Sequence, residues 1–430
     1  MKVGFISLGC SKNLVDTEMC IGVFKEHGYE IVNKPEEAQI LVVNTCGFIE
    51  SAKEEAINTI LEMAQYKKTG KCQFLIAMGC LVQRYKKELE KAIPEVDLFL
   101  SLDEYDNLWE KITGLVEKQK QNAILDYEKR VITTGDTTAY LKIAEGCSNN
   151  CTYCAIPMIR GPFVSRKMED ILQEAEKLAQ NGIKEIIVIA QDTTKYGVDL
   201  YGTSKLADLL EALSKMEFHW IRFLYAYPES ITDELIQVVK NNPKIVPYFD
   251  IPIQHISNKV LKRMNRKTTG EDIKNIIKHI REEVPNAILR TSLIVGFPGE
   301  DEEDFKKLYD FVLGAKFDKL GVFSYSKEEG TPASRLKEQV HWKTKIARRD
   351  KIMSLQQEVS KSKLEEKIGN TYEALIVEIK KNGAIARTYM DVPDMDGVLW
   401  IKNKQGLKEG QFVKCKITGV AEYDLIGELV

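Results

Sequence analysis

This sequence lacks most of the features that would place it at a membrane or outside a cell. No apolar run approaches the ~18 residues that a membrane-spanning helix needs. The opening stretch, MKVGFISLGCSKN, holds an apolar segment of about six residues, short of the roughly 7–15 of a secretory signal core. It reads as a first β-strand, and a protein of the reducing cytoplasm is expected. Net charge is also nearly absent, since 61 basic residues face 64 acidic ones for a net of −3. That balance argues against a general nucleic-acid binder. Histidine is scarce: His27, His219, His255, His279 and His341 are scattered, and no general acid–base pair stands out. His255 alone follows a predicted strand end beside another polar residue, Gln254.

Cysteine, by contrast, is plentiful, with nine in 430 residues. An odd number fits poorly with a complete disulfide framework, and in a reducing compartment clustered cysteines point to metal or catalysis. Length and a 44% hydrophobic content allow two to three domains with sizeable cores.

Hydrophobic patterning divides the chain. Residues 1–116 alternate apolar runs (Lys2 to Leu8, Gln39 to Asn44, Gln73 to Met78) with helical stretches (Leu14 to His27, Ser51 to Lys67, Val82 to Ala92), which predicts a parallel α/β sheet. A polar linker is expected over 117–138. A second alternating series over 139–341 offers six strands: Tyr140 to Ala144, Glu185 to Ala190, Ile221 to Ala226, Tyr248 to Pro252, Leu289 to Val295 and Lys319 to Phe323. Six βα units are too few for a complete eight-fold barrel, so an open, partial βα barrel is predicted. A charged helix follows over 342–368. Residues 369–430 break into short alternating runs, which predicts a small antiparallel barrel of the OB-like kind.

The segment GCSNNCTYC, Gly146 to Cys154, spaces Cys147, Cys151 and Cys154 as C-x-x-x-C-x-x-C at the end of a predicted strand. Three thiolates on one short loop can hold three corners of a four-iron cube and leave the fourth iron open for a small chelating molecule. Zinc sites usually pair their ligands in separated twos, and electron-transfer ferredoxins add a fourth cysteine; neither pattern is present. The spacing, with Tyr153 before the last cysteine, resembles the radical S-adenosylmethionine superfamily. By position, that resemblance implies cofactor-binding roles for Gln191 and Asp192 after the second barrel strand, Gln254 after the fourth, and Gly296 in LIVGFPGE after the fifth. A glycine there would let backbone approach a ligand closely.

Cys10, Cys46 and Cys80 stand about one βα unit apart, each just after a predicted strand (SLGC, VNTC, AMGC). In a parallel sheet those strand ends share the carboxyl edge, where open α/β sheets bind ligands. Three distant cysteines therefore converge, and a second cluster with an open iron is expected. Cys20, Cys72 and Cys415 share no such register and read as core or surface thiols.

With both triads placed, the chain resembles the methylthiotransferases over essentially its full length. The resemblance implies an N-terminal domain with an auxiliary 4Fe-4S cluster, a radical barrel with a second 4Fe-4S cluster that binds S-adenosylmethionine, and a C-terminal TRAM domain. It also implies that one S-adenosylmethionine methylates sulfur at the auxiliary cluster, while another yields a 5′-deoxyadenosyl radical that removes hydrogen from an inert carbon. A reducing electron donor and a sulfur source are implied as partners. The loops SLGCSKNLVDTE, AQDTTKYGVDLYG and YFDIPIQHIS differ from the Gln-Met-Asn, Gln-Asn and Pro-Val-Gln-Ser-Gly stretches typical of transfer-RNA enzymes. They are similar to the branch that modifies an aspartate β-carbon of small-subunit ribosomal protein S-twelve, alone or within the subunit. A transfer-RNA adenosine enzyme, and a non-enzymatic metal-stabilised ribosome- or RNA-binding module, are the alternatives.

The C-terminal segment from Leu364 carries a net charge of −2, and its acidic turn Asp391, Asp394 and Asp396 suits docking on a basic protein, unless these acids merely solvate a turn. A local basic stripe through Lys380, Lys381, Lys402 and Lys404 would instead favour RNA. Arg166, in RGPFVSR, is a candidate for holding a carboxylate, although ordinary loop packing explains it as well.

Overall fold

A computed structural model of the chain describes residues 1–117, 123, 125–403 and 406–430. The N-terminal sheet contains β1 (Lys2–Ser7), β2 (Glu30–Val32), β3 (Ile40–Thr45), β4 (Phe74–Gly79) and β5 (Leu98–Leu100), in the order β2-β1-β3-β4-β5. All neighbours are parallel. The central strand β3, ILVVNT, is buried at every position, as a strand covered on both faces must be. Helices α1 (Ser11–Glu26), α2 (Glu50–Thr69), α3 (Cys80–Ala92) and α4 (Leu108–Val116) cover the sheet. The short strands β2 and β5 and helix α4 are additions to the sequence expectation.

Part of the stretch expected to be a linker is packed. Arg130 pairs with Glu18 of α1 at 2.7 Å and with Glu174 at 3.0 Å, and Thr133 donates to Glu18. The next strand already begins at Thr138. Residues 118–122 and 124 lie outside the described set.

The central unit holds β6 (Thr138–Lys142), the short antiparallel pair β7 (Ala144–Glu145) and β8 (Val164–Ser165), then β9 (Glu185–Ile189), β10 (Trp220–Phe223), β11 (Tyr248–Asp250), β12 (Ile288–Val295) and β13 (Lys319–Ser324). Strands β6, β9 and β10 pair in parallel, as do β11, β12 and β13, and an isolated parallel bridge, Ile221 to Ile245, joins the two sets. The result is a six-stranded parallel arc, open between β6 and β13 among the described residues. Helices such as Met168–Gln180 and Glu302–Ala315 pack outside it, their apolar stripes burying Ile171, Leu178, Phe305 and Leu308.

An open barrel leaves its other face in need of cover. Here Ile187, Ile189, Trp220 and Tyr248 share a core with Val15 of α1 and with the C-terminal domain. That domain follows the helix Trp342–Glu365 and consists of β14 (Thr371–Lys380), β15 (Gly383–Thr388), β16 (Leu399–Ile401), β17 (Phe412–Val420) and β18 (Leu425–Leu429). They close in the order β14-β15-β16-β18-β17. The barrel is not purely antiparallel, because β18, unread in the sequence, returns to lie parallel to β16 and closes the ring.

The acidic turn is a second correction. Asp391 pairs with Lys319 at 2.9 Å, and Asp396 accepts the Tyr248 hydroxyl at 2.7 Å. These two acids anchor the C-terminal barrel to the central arc and neither solvate a turn nor await a basic partner. Glu185, fully buried between Arg222 and Arg387, adds a further tie across the same interface. Lys380, Lys381 and Lys402 are exposed, and Lys404 lies outside the described residues. No described helix is long and apolar enough to cross a membrane.

Candidate metal centre

The loop Gly146–Cys154 leaves the β7 end of the arc and is pinned from several sides. Cys147 N–H donates to Gly161 O at 3.1 Å, Thr152 N–H to Met264 O at 3.0 Å, and Cys154 N–H to Cys151 O at 3.0 Å. Cys147 and Cys151 are buried and Cys154 is half-buried; none is in a disulfide. Burial raises the Cys147 thiol and pushes Cys154 up to about 12, and the neighbouring cysteine charges add to both shifts. Any metal bound by these thiols would have to displace their protons. Tyr153 packs edge-on against Phe297 of the segment after β12.

Asp192 lies next to this loop, accepting from Asn149 Nδ2 at 2.7 Å and Thr194 Oγ1 at 2.5 Å. Gln191 donates to Glu145 at 2.8 Å, and its Oε1 is buried without a protein partner. Gln254 sits at φ +70° and bridges to Leu293. Gly296 has φ +69°, and its N–H donates to Glu300 at 2.7 Å. The group that closely approaches Gly296 is Lys345, whose Cγ would lie 2.3 Å from an added Cβ. The glycine thus already serves packing of the long helix.

His255 is fully buried, accepts the Ser257 N–H, and is held uncharged by burial, with its pKa lowered to about 3. Arg166 holds a carboxylate, but an internal one: it pairs with Glu174 at 2.5 Å and lies over the Tyr127 ring. Of the two readings of Arg166, structural packing is the one met.

The second triad converges as the strand register predicts. Cys10 caps α1, Cys46 follows β3, and Cys80 opens α3. Gly9, at φ +89°, faces Cys46 so closely that an added Cβ would lie 2.7 Å from the Cys46 Cβ. Asn13, which the sequence reading missed, ties the three loops together. Its Nδ2 donates to Leu8 O at 3.0 Å and Thr45 O at 2.9 Å, and its Oδ1 accepts from Cys80 Sγ at 3.3 Å. Its place three residues after Cys10 was the available signal. Crowding opposes ionisation of Cys10, yet the Lys12 and Arg160 cations and the first amides of α1 bring the thiol below its ordinary value. Burial pushes Cys80 up to about 12 and raises Cys46. Cys20, Cys72 and Cys415 are buried.

The two triads face each other. Cys80 packs against Ala155 and Ile159, which follow Cys154 in the sequence. From α5 (Ile156–Arg160), Arg160 Nη2 reaches Cys80 Sγ at 3.4 Å and Asp16 at 2.9 Å, while Nη1 reaches Glu145 at 3.0 Å. Lys142 pairs with both acids, at 2.5 and 2.8 Å. This set of buried Asp16, Lys142 and Arg160 with half-buried Glu145 locks α1 to the arc and ends on Gln191. Among the described residues no three His, Cys, Asp or Glu side chains are grouped to hold one metal ion, as a zinc site would require. Two cavities of about 610 and 620 Å³ include no cysteine of either triad, one lying against β1, β2 and α1 and the other beside His219 and Phe412.

Three family models match separate parts of the chain. Residues 141–312 match the radical SAM superfamily, residues 2–101 match the uncharacterized protein family UPF0004, and residues 368–430 match the TRAM domain. The ribosomal protein uS12 methylthiotransferase RimO of Alkaliphilus oremlandii is 63% identical over 100% of this chain and 99% of its own length. The protein of the same name from Clostridioides difficile is 52% identical over 100% and 99%. Among solved structures, the radical S-adenosylmethionine methyltransferase TsrM of Kitasatospora setae superposes with a TM-score of 0.58 at 12% identity, covering 77% of this chain and 76% of that one. That likeness concerns the fold alone. On the full-length identities, the chain belongs to the RimO family of radical S-adenosylmethionine methylthiotransferases.

Proposed function

We propose that this enzyme places a methylthio group on the β-carbon of an aspartate in ribosomal protein uS12, in the cytoplasm. One 4Fe-4S cluster would be held by Cys147, Cys151 and Cys154 and another by Cys10, Cys46 and Cys80. The observation that carries the reading is the contact of the triads through Cys80, Ala155, Ile159 and Arg160. Sulfur transfer to carbon needs the carbon-activating site and the sulfur-bearing site within reach of one substrate atom. The names of the full-length relatives support uS12 as the protein acted on, and they favour it over a transfer-RNA adenosine.

When bound, a cluster with an open iron supplies the electron that splits S-adenosylmethionine, giving the radical that a C–H bond without usable acidity requires. The chain's own residues do the rest. Gln191 presents its free carbonyl oxygen and Asp192 its carboxylate beside the cysteine loop, suited to the methionine ammonium. Gln254 and Gly296 follow the fourth and fifth strands at the same edge, with their N–H groups given to Ser292 O and the Glu300 carboxylate. Arg160 and Lys142 hold Glu145, which in turn orients Gln191. An electron donor and a sulfur source complete the proposed partners.

The test incubates reduced, iron-reconstituted protein with S-adenosylmethionine and either uS12 or transfer RNA, followed by mass spectrometry. A methylthio adduct on a uS12 aspartate is expected. An adduct on an adenosine, with none on uS12, overturns the proposal.

A further inference from the structure

Lys12 lies two residues after Cys10 on the first turn of α1 and is 7% exposed. The nearby buried cations Lys142 and Arg160 each meet two carboxylates. Among the described residues no carboxylate pairs with Lys12. Its ammonium instead stands 3.5 Å from the centre of the Tyr225 ring. A ring face recovers only part of what a buried ammonium loses on leaving water.

Tyr225 is itself unusual. It follows β10 at the carboxyl edge of the arc with φ +63°, a conformation uncommon for a bulky residue. Its N–H donates to Asp250 at 3.1 Å, and its carbonyl accepts the Thr193 N–H at 3.2 Å. Thr193 adjoins Asp192, which is bonded to the radical cysteine loop through Asn149. Lys12 therefore links the two halves of the site, beside Cys10 on one side and over a ring fixed to the radical edge on the other.

Under the proposed reaction, the carbon to be modified must come within reach of both triads. The β-carbon of an aspartate is bonded directly to its carboxylate carbon, so a cation that fixes the carboxylate also fixes the reacting carbon. We infer that Lys12 receives the carboxylate of the target side chain, making it the residue that selects an acidic substrate. This rests on the aspartate proposed above.

The test is a double-mutant cycle on binding. Cluster-loaded wild type and Lys12→Met are titrated, by fluorescence anisotropy, with uS12 and with uS12 whose modified aspartate, located by mass spectrometry, is replaced by Asn. Wild type should bind the Asp form about tenfold or more tightly, the worth of one charged hydrogen bond. Lys12→Met should lose that preference, and Lys12→Arg should keep most of it. Equal weakening of both forms by Lys12→Met overturns the inference and assigns Lys12 to balancing charge at the auxiliary triad. A preference that survives Lys12→Met overturns it as well. If Lys12→Met lacks iron or does not fold, Tyr225→Leu takes its place and must reduce the preference; an undiminished preference there also overturns the inference. Absence of any methylthio adduct on uS12 with wild type defeats the proposed substrate, and this inference with it. An active wild type with an unchanged preference defeats the inference alone.

Discussion

Cys147, Cys151 and Cys154 are neighbours on one short loop of the sequence, although Gly161 and Met264 help to pin it, whereas Cys10, Cys46 and Cys80 arrive from three strand ends and meet only when the sheet forms. The first triad is a local device that a short sequence motif specifies. The second is a product of topology: parallel pairing puts β1, β3 and β4 in register and brings their carboxyl ends to one edge. Its thiols also differ electrostatically, with Cys10 lowered by cations and a helix start while Cys80 is raised by burial. A local motif keeps its three thiols close whatever the strand pairing. An assembled one depends on every residue that holds its strands and loops together.

The most severe break in this comparison is removal of one ligand from either triad. Cys151→Ala should abolish 5′-deoxyadenosine formation, read by chromatography, and lower iron from about eight to about four per chain. Cys46→Ala should lower iron equally, and uS12 methylthiolation should disappear while S-adenosylmethionine cleavage persists. Lys142→Met attacks the lock between the two. It leaves Asp16 and Glu145 short of a buried partner and should cost about 3–5 kcal/mol in denaturant unfolding. Asn13→Ala should cost less, about 1–3 kcal/mol, and should deplete iron at the strand-end triad alone, as Mössbauer or electron paramagnetic resonance spectra would show. The finest test concerns the thiols of iron-free protein. Iodoacetamide at neutral pH should label Cys10 before Cys80 or Cys154. Labelling of the latter two should rise with pH, because a thiol with a raised pKa yields its reactive thiolate only in alkali. Peptide mapping reads the order.

Much of this was legible in the chain. The apolar runs of β3 and β4, and the six strands of the arc, appear within three residues of where patterning puts them, because buried parallel strands are nearly continuous apolar runs. Cys10, Cys46 and Cys80 were readable because each directly follows such a run. Arg160, Lys142, Asp16 and Glu145 were not, since a charged residue in sequence looks the same whether it faces water or a buried partner. The turn of Asp391 and Asp396 misled for the same reason: net charge counts acids without saying that Lys319 and Tyr248 already occupy them. The strand β18 escaped because LIGEL is short and its partner lies across the barrel, parallel to it.

By itself, then, the order of residues determined what chemistry the chain can host: the spacing of one cysteine loop, three strand-end cysteines in one register, and the alternation that makes two parallel units and a small barrel. Only the tertiary structure decided how those parts act together. It set the triads against each other through Cys80 and Arg160, it spent two acids of the C-terminal turn on an internal interface, and it left Lys12 over Tyr225 without a carboxylate. Local propensity and periodicity act over a few residues, whereas pairing of buried charges is settled by which distant surfaces the packed core brings within a few ångströms.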